Sequence, residues 1–101
     1  MNSESSMAPD NSFPRRVDVV LPQFGMGMTG AVVANWLKHQ GDFVNEGETL
    51  VEVETAKSIN EIDAPASGVL EAILVTAQQE VEVYAVLARI RIDAGPASTT
   101  D

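Results

Sequence analysis

No cysteine occurs in the 101 residues, so disulfides and thiolate-bound metals are excluded. Histidine occurs once, at His39, too few for a histidine-rich metal site or a dyad of two imidazoles. Aromatic residues make up 5% of the chain, and positive charge is scarce, with 6 Lys and Arg against 15 Asp and Glu. A formal charge of −9 argues against nucleic acid as a partner, because phosphates are held by Lys and Arg. It favours solubility and docking on electropositive protein surfaces. No run approaches the ~20 apolar residues of a membrane span. The stretch from Met1 to Asp10 has no apolar core for a signal peptide, and the run after Arg15-Arg16 is broken by Asp18 and Pro22, unlike a twin-arginine signal. The expectation is a soluble, cytoplasmic protein with no membrane partner and no metal.

What is present is dense punctuation between short apolar runs. Helix-start signals and 3.6-residue periodicity are weak throughout, and the pattern predicts an all-β chain. Residues 1–16 read as a flexible leader, 17–93 as one folded domain and 94–101 as a flexible tail or linker, on the Ser, Asn, Pro and Thr content of the two ends. Strands are predicted at Val17–Leu21, Ala31–Lys38, Leu50–Thr55, around Ile62, at Val69–Val75 and at Val86–Ile92. Turns are predicted at Gln40-Gly41-Asp42 and Asn45-Glu46-Gly47-Glu48. In the third strand Val51, Val53 and Thr55 occupy one face, Glu52 and Glu54 the other.

An internal repeat organises these pieces. Val17–Pro22 parallels Asn60–Pro65, Thr29-Gly30-Ala31-Val32 parallels Ser67-Gly68-Val69-Leu70, and Val44–Leu50 parallels Val81–Leu87, with Tyr84 standing where the first half has Gly47. Neither half is long enough to bury its own apolar face, so the two must pack together as a sandwich or flattened barrel. Lys57 falls at their junction, in a tight turn between paired strands.

Three segments carry a family resemblance: Leu21-Pro-Gln-Phe-Gly-Met-Gly-Met-Thr-Gly30 with the following Ala-Val-Val-Ala-Asn-Trp36-Leu, Gly41-Asp-Phe-Val-Asn-Glu-Gly-Glu-Thr-Leu50, and Val51-Glu-Val-Glu-Thr-Ala-Lys57-Ser-Ile-Asn-Glu-Ile-Asp-Ala-Pro65. Together they resemble the lipoyl/biotinyl carrier domain family, and within it the lipoyl domains of 2-oxoacid dehydrogenase acyltransferases. The resemblance implies a barrel-sandwich of two quasi-symmetric four-stranded antiparallel sheets. It also implies a lipoyl group joined to Lys57 by an amide, and a non-catalytic role shuttling acyl groups and electrons in a 2-oxoacid or acetoin dehydrogenase complex. The reactive sulfurs would belong to the cofactor, and tethering would raise its local concentration at each active site. Implied partners are a lipoate ligase or lipoyl transferase, the 2-oxoacid dehydrogenase, the acyltransferase core and dihydrolipoamide dehydrogenase.

The chain is then either an excised domain of a dihydrolipoamide acyltransferase or an independent carrier. Biotin carriers resemble one another in placing Met on both sides of the lysine; here Ala56 and Ser58 flank it, which disfavours biotin. Many lipoyl domains place an acid directly before the lysine, and Ala56 departs from that. The resemblance offers Glu54, Thr55, Ala56 and Ser58 around the turn, and Phe24, Met26 and Met28 in the preceding loop, as recognition residues.

Bland assignments stand beside these. Glu52, Glu54, Glu61 and Asp63 are read as solvated strand carboxylates, for want of a pocket to shift their pKa values into an acid–base pair. Gly25, Gly27 and Gly30 lack the following helix and lysine of a phosphate loop. Met26 and Met28 lack the His or Cys of a copper site. Trp36 is assigned to packing, with a partner for its indole N–H, and His39 to the exposed surface. The alternatives to a lipoyl carrier are a biotin carrier of a carboxylase or decarboxylase, and an unmodified interaction module.

Overall fold

The computed structural model describes residues 13–93. Residues 1–12 of the leader expected at 1–16, and the whole of the tail or linker expected at 94–101, lie outside the described residues. Eight strands follow one another: β1 (Arg15–Val20), β2 (Gly30–Trp36), β3 (Phe43–Val44), β4 (Thr49–Glu54), β5 (Ile59–Asp63), β6 (Gly68–Ile73), β7 (Glu80–Glu82) and β8 (Val86–Ile92). Among the described residues there is no helix long and apolar enough to cross a membrane.

The strands form two antiparallel four-stranded sheets, ordered β1-β8-β6-β3 and β5-β4-β2-β7. Exchanging β1 for β5, β2 for β6, β3 for β7 and β4 for β8 turns one order into the other, which is the internal repeat expressed as a pseudo-twofold axis. The hydrogen bonds repeat with it. Gly47 N–H donates to the Ala64 carbonyl at 2.9 Å and Ala64 N–H to the Glu48 carbonyl at 2.8 Å; in the other half Tyr84 N–H donates to Leu21 at 2.8 Å and Leu21 N–H to Ala85 at 3.0 Å.

The core lies between the sheets and is wholly apolar among the described residues. Leu21, Val33, Val44, Leu50, Val53, Leu70, Leu87 and Ile90 are fully buried, drawn from both halves. Each such side chain contributes roughly 1.5–3 kcal/mol relative to leaving it in water. Gly30 and Gly68, the repeat's matching glycines, each sit hard against the backbone of a neighbouring strand in their own sheet. A Cβ on Gly30 would run into the Val81 carbonyl oxygen, and one on Gly68 into that of Arg91.

Several details differ from the strand pattern read in the sequence. β1 begins at Arg15, ahead of Val17, because Arg15 and Arg16 pair with Ile92 and Arg91 of β8. β3 and β7, only two and three residues long, are strands that alternation cannot register. Leu50 and Val51 are both buried although adjacent, because the β4–β5 register shifts between Thr49 and Val51 and both side chains turn inward. Trp36 packs against the core, and its indole N–H donates to the Val75 carbonyl at 3.1 Å. His39 is exposed at a turn, its backbone N–H donating to Asp42 Oδ2 at 2.8 Å.

Candidate functional site

β4 and β5 pair as far as Glu54 opposite Ile59, and the chain reverses through Thr55, Ala56, Lys57 and Ser58. Thr55 N–H donates to the Ser58 carbonyl at 2.8 Å, closing the turn. The Thr55 hydroxyl closes it a second time: Oγ1 accepts the backbone N–H groups of Lys57 and Ser58, both at 3.3 Å, and donates to the Ser58 carbonyl at 3.1 Å. Ser58 Oγ donates to Asn60 Oδ1 at 3.0 Å, tying the turn to the first residues of β5. Backbone groups that would otherwise fray are thus satisfied within the turn, which holds its apex fixed relative to the sheet.

Lys57 sits at that apex, exposed. Among the described residues no carboxylate lies within ion-pair distance of its ammonium. The other lysine, Lys38, is salt-bridged to Glu48. That hydrogen bond, with a further one from Asn45 N–H, holds the Glu48 carboxyl below its ordinary value of 4.5. One lysine is a structural cation and the other a free amine on a rigid mount.

Facing the lysine turn is the loop from Gln23 to Thr29. Gly27, at a φ of 81°, takes the left-handed position of a tight turn in which Met28 N–H donates to the Gly25 carbonyl at 3.2 Å. Gln23 Nε2 donates to the Met28 carbonyl at 3.3 Å. Between loop and turn lies an open groove of about 430 Å³, with Phe24, Met26 and Met28 along one wall and Thr55, Ala56, Lys57, Ser58 and Asn60 along the other.

Six of the seven residues singled out beside Lys57 therefore converge on one groove. Glu54 lies to the side, in a shallower depression with Thr29, Val32 and Glu80 that Thr55 and Ala56 also border. Within the loop the methionines divide. Met26 is 100% exposed, whereas Met28 is half-buried against the core and its Sδ accepts the Phe24 N–H at 3.3 Å, so Met28 anchors the loop from below. Glu52 and Glu61 stand opposite one another on β4 and β5, and Asp63 Oδ1 accepts a hydrogen bond from Thr49 Oγ1 at 3.0 Å. The sequence singled out neither Asn60, whose amide oxygen fixes Ser58, nor Tyr84, whose neighbours clamp the loop's base. The only sequence signal for Tyr84 was its place opposite Gly47 in the repeat.

The family model described as "Biotin-requiring enzyme" matches residues 17–90. The chain is 41% identical over 73 residues to the dihydrolipoyllysine-residue acetyltransferase component of the pyruvate dehydrogenase complex of Corynebacterium glutamicum, covering 72% of this chain and 11% of that protein. It is 37% identical over 70 residues to the acetyltransferase component of the acetoin cleaving system of Pseudomonas putida, covering 69% of this chain and 19% of that one. With the succinyltransferase component of the 2-oxoglutarate dehydrogenase complex of Escherichia coli K12 it shares 39% identity over 75 residues, 74% of this chain and 18% of that protein. The chain thus spans less than a fifth of the length of these curated relatives. Among solved structures, the lipoyl domain of the 2-oxoglutarate dehydrogenase complex of Azotobacter vinelandii aligns with a TM-score of 0.63 and 29% identity, over 78% of this chain and 99% of that one. With its two exchanged sheets and its lysine turn, the chain belongs to the biotin/lipoyl attachment family, as a lipoyl-type carrier domain homologous to those of the dehydrogenase acyltransferases.

Proposed function

We propose that Lys57 carries a lipoyl group in amide linkage and that residues 17–93 act as a carrier, presenting that arm to successive active sites of a 2-oxoacid or acetoin dehydrogenase complex. The observation that carries this reading is the free Lys57 ammonium at the apex of a turn closed by both backbone and Thr55 hydrogen bonds. A long aliphatic stem ending in an amine is what an amide-linked arm requires. When bound, the group supplies a dithiolane that accepts an acyl group as a thioester, or two electrons with their protons.

The chain's own contribution is mechanical and electrostatic. Thr55 holds the Lys57 backbone at a fixed position, so the reach of the arm is set by the side chain and cofactor alone. Ala56 and Ser58 leave the amine unobstructed for a modifying enzyme. Phe24 and Met26 stand exposed across the groove, where a protein that approaches the lysine meets them. The partners in this reading are a lipoate ligase or lipoyl transferase, the 2-oxoacid dehydrogenase, the acyltransferase core and dihydrolipoamide dehydrogenase.

Lipoate is preferred to biotin because Ala56 and Ser58, not methionines, flank the lysine, and because the relatives are named as dihydrolipoyllysine-residue proteins. The test is intact mass after co-expression with a lipoate ligase and, separately, a biotin ligase. The expected result is a lipoyl mass shift in the first case, lost in Lys57→Gln. A shift with the biotin ligase alone would reassign the cofactor, and no shift with either would leave an unmodified interaction module.

A further inference from the structure

Four tight turns are related in pairs by the pseudo-twofold axis, and each needs a left-handed residue at its third position. In the first half those positions hold Gly41, with φ 101°, and Gly47, with φ 88°. In the second half the equivalent positions hold Gln78, with φ 74°, and Tyr84, with φ 72°. The hydrogen bonds are the same in both halves: Glu48 N–H donates to Asn45 at 2.9 Å, and Ala85 N–H to Glu82 at 3.0 Å. The backbone therefore asks for glycine at residue 84 as it does at residue 47, and a side chain there is strained.

Burial does not offset the strain, since Tyr84 is 66% exposed. Its setting is the loop beside the lysine turn. Val83 N–H donates to the Thr29 carbonyl at 3.0 Å and Tyr84 N–H to that of Leu21, so residues 83–85 clamp both ends of the loop whose other flank faces Lys57. A strained, exposed aromatic at the working end of a domain, at a position whose structural twin is glycine, is a signature of surface function.

Charge names the kind of partner. Strands β4, β5 and β7 carry two carboxylates each, and the sheet they form with β2 has no Lys or Arg in its strands. All four arginines lie on β1 and β8 in the other sheet. Tyr84 lies two residues past the end of β7, whose Glu80 and Glu82 are exposed. An arginine or lysine from a protein surface stacks on a phenol ring and pairs with neighbouring carboxylates.

We propose that Tyr84 is a specificity-determining contact of this domain, taken by a basic surface of the dehydrogenase that acylates the arm, so that recognition extends beyond the lysine turn and the 23–29 loop. This inference rests on the carrier reading above. The full chain is lipoylated on Lys57, checked by intact mass, and then offered to the decarboxylating components of pyruvate, 2-oxoglutarate and acetoin dehydrogenase systems, each with its own substrate and at low and high salt. Failure of lipoylation would defeat the carrier reading. Failure of every component to acylate the lipoylated wild type would defeat the partner assignment instead.

With the component that does acylate it, Tyr84→Gly and Tyr84→Asn should slow transfer roughly threefold to tenfold while Tyr84→Phe retains the wild-type rate. Over the same series Tyr84→Gly should raise the thermal midpoint, by on the order of 4 °C, because the strain is relieved. Raising salt should slow the wild-type reaction. Equal rates for Tyr84→Gly and wild type, a rate loss accompanied by a lower midpoint, or a wild-type rate indifferent to salt would each overturn the proposal.

Discussion

Thr55 Oγ1 lies 3.3 Å from the backbone nitrogen of Lys57 and accepts its N–H, so the residue two before the lysine fixes the lysine's own backbone. The same oxygen also serves Ser58. Thr55→Val keeps the shape and removes these bonds, leaving turn N–H groups to water. The expected cost is about 1 kcal/mol, or roughly 4–8 °C in the thermal midpoint. Ligase-catalysed modification of Lys57 should slow as the apex loosens, and Thr55→Ser should restore both. Thermal melts and initial rates of mass gain check this.

Lys57 itself supports nothing in the fold. Its side chain is exposed and has no ion pair among the described residues, so Lys57→Gln should change stability by no more than about 0.5 kcal/mol while removing all ligase-dependent mass gain. Lys38→Gln should do the reverse, leaving modification complete. Peptide mapping of the modified protein, with the label sought on Lys57 and on Lys38, separates the two lysines.

The architecture was legible because its signals are local or repeated. Ile62 and Ala64 alternate with Glu61 and Asp63, and Gly30 and Gly68 recur in matching contexts; these fix strand faces and the two-half packing without reference to distant residues. The junction lysine followed from the same repeat. The rest depends on long-range approach. The inward turn of both Leu50 and Val51 needs a register shift against β5. The ion pairs of Arg16 with Glu71 and of Arg89 with Asp18 join residues far apart in the chain, so the gathering of all arginines on one sheet appears only after folding. Met28 reads like Met26 in sequence, and only the course of the loop separates an anchor from an exposed side chain.

Acid should unmake the charge pairs in a defined order of cause. The carboxyls of Glu48 and Glu71 both lie below their ordinary value of 4.5, the first through its hydrogen bond from Lys38 and the second through that from Arg16. A carboxyl whose pKa is lower in the folded than in the unfolded chain stabilises the fold above the unfolded value and loses that contribution as pH falls through the folded one. Stability should therefore be flat above about pH 5 and decline as pH drops below about 4.5. In a carboxyl-detected NMR titration, Lys38→Gln should return Glu48 towards its ordinary value and leave Glu71 unmoved. Equal movement of both would contradict the pairing.

Two glycines in the same segment should respond oppositely to an added methyl group. At Gly30 the new Cβ meets the Val81 carbonyl oxygen, which belongs to the β2–β7 pairing and cannot yield without breaking it. At Gly25 nothing lies within 4 Å of the equivalent position, and the residue is not among those with positive φ. Gly30→Ala should therefore destabilise the domain by about 1–3 kcal/mol, the usual range for overpacking a tight contact. Gly25→Ala should be neutral or slightly stabilising, since it narrows the unfolded ensemble at no native cost. Because β2 begins at Gly30, displacement there also shifts the end of the 23–29 loop against Lys57, so Gly30→Ala should slow lipoylation even at temperatures where it remains folded. Urea midpoints for the two variants, read beside their ligase rates, separate a local methyl clash from general intolerance of change in this loop.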